Sequence, residues 1–400
     1  MRRSIVIIAP FCLMVGEASF NRFLFLAKML AEQQFDVTLV TSKFRHFDKQ
    51  FRSELSAEIT AAAYGIKVVY INEVGYTKNI GIKRAISHWL FGRNFAKWWA
   101  SNKTNFDLIY SAYPLIFHNV LLCKTRSRGQ KSIPFVIDIQ DTWPESVVSA
   151  FSFLKKVPVN WFPFSSAANY IYNNVDYIFA VSTTYLERAF RYSDHRRGTA
   201  VYIGSDFETI ESIVRDVQPT SIISLFYIGT LSYSYDLESV ILGLDIVREQ
   251  GFNVVLHIFG AGPDETRLRS ISGSGITFHG LIPFADLIKD IKKYDIGVNC
   301  IHDYAPQSVT NKISDYLAIG CPIMNSQSCP EVLGLLSDRV AMHYNSGQPE
   351  SFAKSLIDMI INGDAKVPWK PDAAMDRRII YQKIINKIRE LLSAHREVTP

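Results

Sequence analysis

Cysteine is scarce and unpatterned in this chain: five residues, Cys12, Cys123, Cys300, Cys321 and Cys329, with no C-x-x-C and no spacing that a metal site would use. Such a scatter argues against a disulfide framework and reads as buried thiols in a reducing compartment. Long apolar runs are missing too. None approaches the roughly 20 residues needed to span a bilayer. The opening MRRSIVIIAPF has only about seven apolar residues before polar Glu17, Ser19 and Asn21, so it reads as a first β-strand and not as a secretory signal. There is no G-x-G-x-x-G to support a dinucleotide site, no acidic D-x-D pair to hold Mg²⁺, and no DNA- or RNA-binding signature. His257, His279 and His302 share no ligand spacing and read as core or edge residues. The expectation is a cytosolic protein without a metal or a nucleic-acid partner.

What is present is a globular composition, 48% hydrophobic and 20% charged, over 400 residues. That length suits two domains of about 200 residues better than one core. The net charge of +5 conceals an asymmetry: residues 1–207 hold 25 Lys and Arg against 15 Asp and Glu, whereas residues 208–400 hold 18 against 23. A basic first half points to an anionic partner, a membrane surface or lipid phosphate ahead of nucleic acid.

Taken in order, residues 4–10, 36–42, 65–72, 107–111, 133–139, 176–181 and 200–203 read as buried strands separated by helix-length segments, the pattern of a doubly wound parallel sheet. Residues 19–33 have helical periodicity, with Ser19 as the expected cap. The strand at 133–139 runs into Gln140, Asp141 and Glu145, and a strand end of this kind is where a parallel sheet presents chemistry. Asp141 and Glu145 are the catalytic candidates; capping of a following helix is the alternative. Polar residues 208–220 mark the domain boundary, which gives an N-terminal domain over 1–207.

The second half repeats the pattern. Strands at 222–229, 254–259 and 276–279 are followed or ended by glycine (Gly229, then Gly260 and Gly262, then Gly280), and a strand at 295–300 completes one sheet edge where backbone can approach a ligand closely. Thr230 adds a hydroxyl. In PQSVTNKISDYLAIGCPIMNS, residues 306–326, a polar loop leads into a helix capped by Thr310 and ended by Gly320, then a strand. The first turn would offer free amides and a positive dipole to an anion, with Lys312 adding a full charge. Asp315 lies one turn beyond Asn311, so the carboxylate could face a sugar or ribose hydroxyl while Asn311 and Lys312 face phosphate. Residues 376–395 form a long amphipathic helix.

The run NKISDYLAIGCPI resembles the donor-binding motif of glycosyltransferase family 4, with Asp315, Ala318, Gly320 and Pro322 at the pattern acid, x, x, Ala, x, Gly, x, Pro. QDTWPES, residues 140–146, is similar to the Asp-Leu-Trp-Pro-Glu-Ser signature of the subgroup that builds bacterial surface polysaccharides. The resemblance implies a GT-B fold, two Rossmann-like α/β domains facing a cleft, with a donor domain over 208–375 and a last helix, 376–400, crossing back to the first. It also implies a retaining glycosyltransferase that takes a nucleoside diphosphate sugar, a UDP-sugar foremost, and no further cofactor. The acceptor would be lipid-linked or a saccharide. Gly16, Ser19, Asn21 and Arg22 then become candidates for acceptor or phosphate contact, and Gln307 with Asp315 for orienting the donor.

The chain departs from the family at several points. Gln307 and Asp315 stand where two glutamates are usual, Gln140 replaces a histidine, and GTLSYSYDLES lacks the Arg and Lys that usually follow the first donor-domain strand. Two aromatic-basic stretches, 82–100 and 151–164, suit a lipid headgroup interface on the cytosolic face of the inner membrane, or else a core-facing helix with a snorkelling polar side. A GT-B-like sugar-nucleotide epimerase or hydrolase, and a non-catalytic nucleotide-sugar-binding scaffold subunit, are the rival readings.

Overall fold

The computed structural model describes residues 2–17, 20–78, 81–126, 132–141, 164–214, 221–303, 305 and 309–397. They divide into two compact units. One runs to Val201 and takes in the chain from Tyr381 onward; the other is Tyr202–Ile380. The chain passes between units at Val201 and Tyr202, and Phe207 and Ile210 already pack in the second unit's core.

In chain order the first unit contains strands β1 (Ser4–Ile8), β2 (Asp36–Ser42), β3 (Phe44–Arg45), β4 (Gln50–Phe51), β5 (Lys67–Ile71), β6 (Leu108–Tyr113), β7 (Phe135–Ile139), β8 (Tyr177–Ala180) and β9 (Gly198–Ala200). β3 and β4 form a short antiparallel hairpin. The other seven make one parallel sheet in the order β5-β2-β1-β6-β7-β8-β9. Ile5 to Ile8 are fully buried, as expected of a central strand covered on both faces. β7 carries a buried carboxylate, Asp138, whose Oδ2 accepts from Arg22 Nε at 2.7 Å and Tyr110 Oη at 2.5 Å, and whose Oδ1 accepts from Gln140 Nε2 at 2.8 Å.

The helix Arg22–Glu32 is capped by Asn21 and not by Ser19: Asn21 is extended, and its Oδ1 accepts from the amides of Phe23 and Leu24. The shorter helix reflects where a side-chain oxygen can reach the free amides of the first turn. Asn21→Ala is expected to lower stability by about 1 kcal/mol, read as a shifted urea midpoint with an unchanged slope. The terminal helix Arg377–Glu397 packs in this unit through Tyr381, Ile384, Ile385 and Ile388, all fully buried or nearly so. Its Tyr381 ring lies 5.4 Å from that of Phe25, and Gln33 Nε2 donates to Gln382 Oε1 at 2.8 Å.

The second unit contains β10 (Ile223–Ile228), β11 (Val254–Phe259), β12 (Ile276–Gly280), β13 (Ile296–Asn299), β14 (Ile323–Asn325) and β15 (Ala341–His343), a parallel sheet in the order β12-β11-β10-β13-β14-β15. From β10 the chain winds outward to β12, then crosses back to start β13 on β10's other side. The strand order therefore reverses between β10 and β13, the kind of crevice where open α/β sheets bind ligands. Both sheets follow the sequence pattern. The β3–β4 hairpin and β15 add strands of two or three residues, too short to show a period.

Candidate active site

The corner beside the β10–β13 crevice is built by close backbone approach. The amide of Gly229 donates to Phe259 O at 2.9 Å, and that of Gly260 donates to Gly280 O at 2.8 Å, so three strand-end glycines lie side by side. Gly229 and Gly260 adopt φ of +135° and +140°. A Cβ on Gly260 would sit 1.8 Å from Gly229 O, and one on Gly262 would sit 2.1 Å from Leu231 O. At these two positions glycine is required by neighbouring backbone. A Cβ on Gly229 would lie 2.4 Å from Lys312 Cε and 2.7 Å from its Nζ, so that glycine makes room for the lysine. Gly280, at φ +72°, faces open space. Thr230 is exposed, and its carbonyl accepts from Tyr227 Oη at 2.8 Å.

The helix Asn311–Ile319 follows the crevice, with Thr310 at its N-cap and Gly320 closing it in the left-handed region. Thr310 makes no capping hydrogen bond, and its buried Oγ1 has no hydrogen-bond partner among the described residues. Asn311 is exposed. Lys312 turns inward and is 6% exposed, its Nζ 3.5 Å from the centroid of the Tyr235 ring and 5.1 Å from that of Tyr227. Burial pulls its ammonium down to about 7, opposed by the field of Asp315. Cys300 adds nothing to that opposition near neutrality, since burial holds its thiol protonated. Asp315, 8% exposed, accepts from Ser205 Oγ at 2.5 Å. Burial pushes its carboxyl up to about 6 against the opposing pull of Ser205, Arg377 and Lys312. Burial thus moves the cation and the acid toward each other's range at the start of a helix, the kind of position where free backbone amides and a positive dipole can meet an anion.

In the first unit, exposed Gly16 has φ +83° in a loop clamped by Glu17, whose carboxylate accepts from Arg52 Nε at 2.8 Å and Nη2 at 2.7 Å. The Asn21 side chain is engaged as the cap. Arg22 is buried, ion-paired with Asp138 and placed over the Tyr381 ring at 4.8 Å, so its charge is neutralised inside the unit. Asp141 is half-buried, two residues past β7. Ser19, Glu145, Gln307 and the stretch 151–163 lie outside the described residues.

The helix Ile82–Asn102 divides the aromatic-basic stretch in two: Phe91, Phe95 and Trp99 are buried, whereas Ile82, Ile86 and Trp89 are exposed. Sequence reasoning did not find the cluster that packs against this helix. His46 Nδ1 lies 2.6 Å from Tyr76 Oη, and Glu73 accepts from both Ser42 and Ser87. His88 and His118 line a small pocket with Phe11 and Glu73. Burial keeps these imidazoles neutral, with His46 and His88 lowered to about 4 and His118 to about 3. In the second unit, His257 Nδ1 and His279 Nε2 are 3.0 Å apart, stacked on Tyr294 and Phe259. Among the described residues no three His, Cys, Asp or Glu side chains gather as a metal site would need.

The profile described as "Glycosyltransferase Family 4" matches residues 21–209, and that described as "Glycosyl transferases group 1" matches residues 223–362. A comparison with curated proteins gave no match. Among solved structures, the chain is similar to a sucrose-phosphate synthase from Thermosynechococcus elongatus, at TM-score 0.68 and 14% identity over 98% of this chain and 100% of that one. It is also similar to the lipopolysaccharide outer core galactosyltransferase WaaB, at 0.62 and 16% over 97% and 99%. A third is Anabaena HepE in complex with UDP and glucose, at 0.61 and 12% over 98% and 100%. With two parallel-sheet units and a glycosyltransferase profile on each, the chain belongs to the family 4 glycosyltransferases of the GT-B fold.

Proposed function

We propose that this protein is a retaining glycosyltransferase that moves a sugar from a nucleoside diphosphate sugar, UDP-linked foremost, to a lipid-linked or saccharide acceptor in bacterial surface polysaccharide assembly. It would work as a peripheral protein on the cytosolic face of the inner membrane. The observation that carries the reading is Lys312, buried beneath Gly229 at the start of the helix Asn311–Ile319 with no hydrogen-bonded carboxylate among the described residues. HepE was solved with UDP and glucose and WaaB bears the name of a galactosyltransferase, and both support a sugar-nucleotide donor. No helix among the described residues is long and apolar enough to cross a membrane.

In this reading the bond from the sugar's anomeric carbon to the diphosphate breaks, a bond to the acceptor oxygen forms on the same face, and the acceptor's hydroxyl proton passes to the departing diphosphate. Lys312, the Thr310 hydroxyl and the free helix amides neutralise the charge that develops on the departing diphosphate. Gln307 and Asp315 orient the donor, Asp315 exchanging its bond to Ser205 for a ligand hydroxyl, while Asn311 reaches from the exposed side. Gly229, Thr230, Gly260, Gly262 and Gly280 shape the edge that the nucleotide lies against. Asp141 aligns the acceptor hydroxyl with Glu145 as helper, and Gly16 and Ser19 offer backbone to an acceptor phosphate. No metal takes part.

The test is calorimetry with UDP-, GDP- and dTDP-sugars, together with release of nucleoside diphosphate with and without a membrane lipid extract. Lipid-dependent release from one donor, with the product anomer retained by NMR and the rate insensitive to EDTA, is the expected result. Turnover without acceptor would indicate the epimerase or hydrolase instead. Binding without any turnover would indicate a scaffold.

A further inference from the structure

The first unit exposes large apolar side chains on segments that share one aromatic hub. Tyr76 is the hub: its hydroxyl meets His46 Nδ1 at 2.6 Å, and its ring lies 5.0 Å from Phe44 and 5.7 Å from His88. The hairpin β3–β4 and the start of the helix Ile82–Asn102 are thereby joined, and Gly75 N reinforces the join by donating to Ser87 Oγ at 2.9 Å. Around the hub Phe47 is 73% exposed, Ile82 80% and Trp89 50%, with Phe51, Val74 and Ile86 also turned outward. Core packing does not account for them, since the helix buries Phe91, Phe95 and Trp99 on another side.

Cations border the same segments. Lys49 Nζ lies 5.1 Å and Arg84 Cζ 5.7 Å from the Tyr76 ring, and exposed Lys78 and Lys83 flank the helix start. Of the four acids between residues 43 and 97, Asp48 is paired with Arg45, Glu54 with Lys43, Glu73 is taken up by two serine hydroxyls, and Glu58 is exposed on the helix Glu54–Tyr64. Apolar side chains that protrude beside a cluster of basic residues match a bilayer surface rich in anionic lipid, where rings enter the interface and ammonium groups meet headgroup phosphate.

We propose that the hairpin tip and the start of the helix Ile82–Asn102 form one insertion surface for an anionic membrane, with Phe47, Ile82 and Trp89 entering the acyl boundary and Lys78, Lys83 and Arg84 contacting headgroups. This rests on the membrane-peripheral reading above and assigns it to particular residues, only some of which lie in the aromatic-basic stretches.

The experiment is flotation of the full-length protein with vesicles of phosphatidylcholine alone or with 30% phosphatidylglycerol, for the wild type, Phe47→Asp/Ile82→Asp, and Lys83→Gln/Arg84→Gln. Circular dichroism, nucleoside diphosphate affinity and sedimentation are measured on each. Expected is flotation with anionic vesicles only, lowered at least tenfold by the aspartate pair and several-fold by the glutamine pair, with fold and nucleotide affinity unchanged. The glutamine pair keeps the proposal falsifiable should the aspartate pair fail to fold. Wild-type flotation undiminished in the variants would overturn this surface while leaving a membrane role intact. Equal flotation on neutral vesicles would overturn the anionic assignment. A wild-type dimer that the aspartate pair dissociates, with no flotation at all, would make the patch an interface between copies and overturn the proposal. Nucleotide affinity, read separately, shows whether the glycosyltransferase reading stands or falls.

Discussion

Lys312→Met is expected to weaken nucleoside diphosphate binding by 10²- to 10³-fold, about 3–4 kcal/mol, and to leave the ligand-free protein as stable as before or more so. The two effects share one cause. A buried ammonium held at about 7, against 10.5 in the unfolded chain, is a charge that the folded state keeps at a cost. Between those two values the unfolded chain binds more protons than the folded one, so stability rises with pH across that window, and below about 7 the full cost applies. Removing the charge should return about 1–3 kcal/mol at pH 6. Binding has the opposite sense. A diphosphate favours the charged lysine, so wild-type affinity should fall by up to tenfold per pH unit above about 7, with net proton uptake on binding. Calorimetry in two buffers of different ionisation enthalpy measures that uptake directly. Equal proton uptake in the wild type and the methionine variant would remove Lys312 from the phosphate site.

Gly260→Ala is the second large effect. The added methyl would lie 1.8 Å from the carbonyl oxygen of Gly229, which is backbone and is held by the hydrogen bond from its own amide to Phe259 O. Relief requires β10 and β11 to part at their ends, at a cost of about 4 kcal/mol or more. Soluble yield and cooperative unfolding should both suffer, and any folded fraction should bind donor poorly, because Gly229 also borders Lys312. Gly280→Ala is the control. Its φ of +72° costs an alanine about 1–2 kcal/mol, but no atom lies within 4 Å of the new methyl. A loss of donor affinity there beyond the stability change would mark direct contact with the nucleotide. Unfolding in urea separates the two variants, and similar midpoints would contradict the clash.

The parts of the fold that were legible in the sequence are those with a period or a terminator. Strands ending at Gly229 and Gly280 and the helix closed by Gly320 were readable because glycine there follows from local backbone conformation. Reasons that depend on distant chain were not. Arg22 looked like a cation for a ligand, yet its partner Asp138 is 116 residues away inside an apolar strand, where nothing local announces it. Gly260 and Gly262 read as ligand approaches, whereas their nearest neighbours are carbonyls of the adjoining segment. The rings of residues 82–100 could be counted, but which of them face inward depends on strands and helices elsewhere in the chain. The Ser205 hydroxyl on Asp315 had no signal at all, 110 residues before its acceptor.

The return of the terminal helix to the first unit has a consequence for synthesis. The second unit is one continuous stretch, Tyr202–Ile380, and can close as soon as it leaves the ribosome. The first cannot, although it is translated first. Until Tyr381 emerges, the helix Arg22–Glu32 leaves Phe25 without the ring that finally packs against it and Arg22 without the ring that finally lies over it. The half made earliest is thus completed last, and for that interval the uncovered side is open to aggregation or to capture by a chaperone.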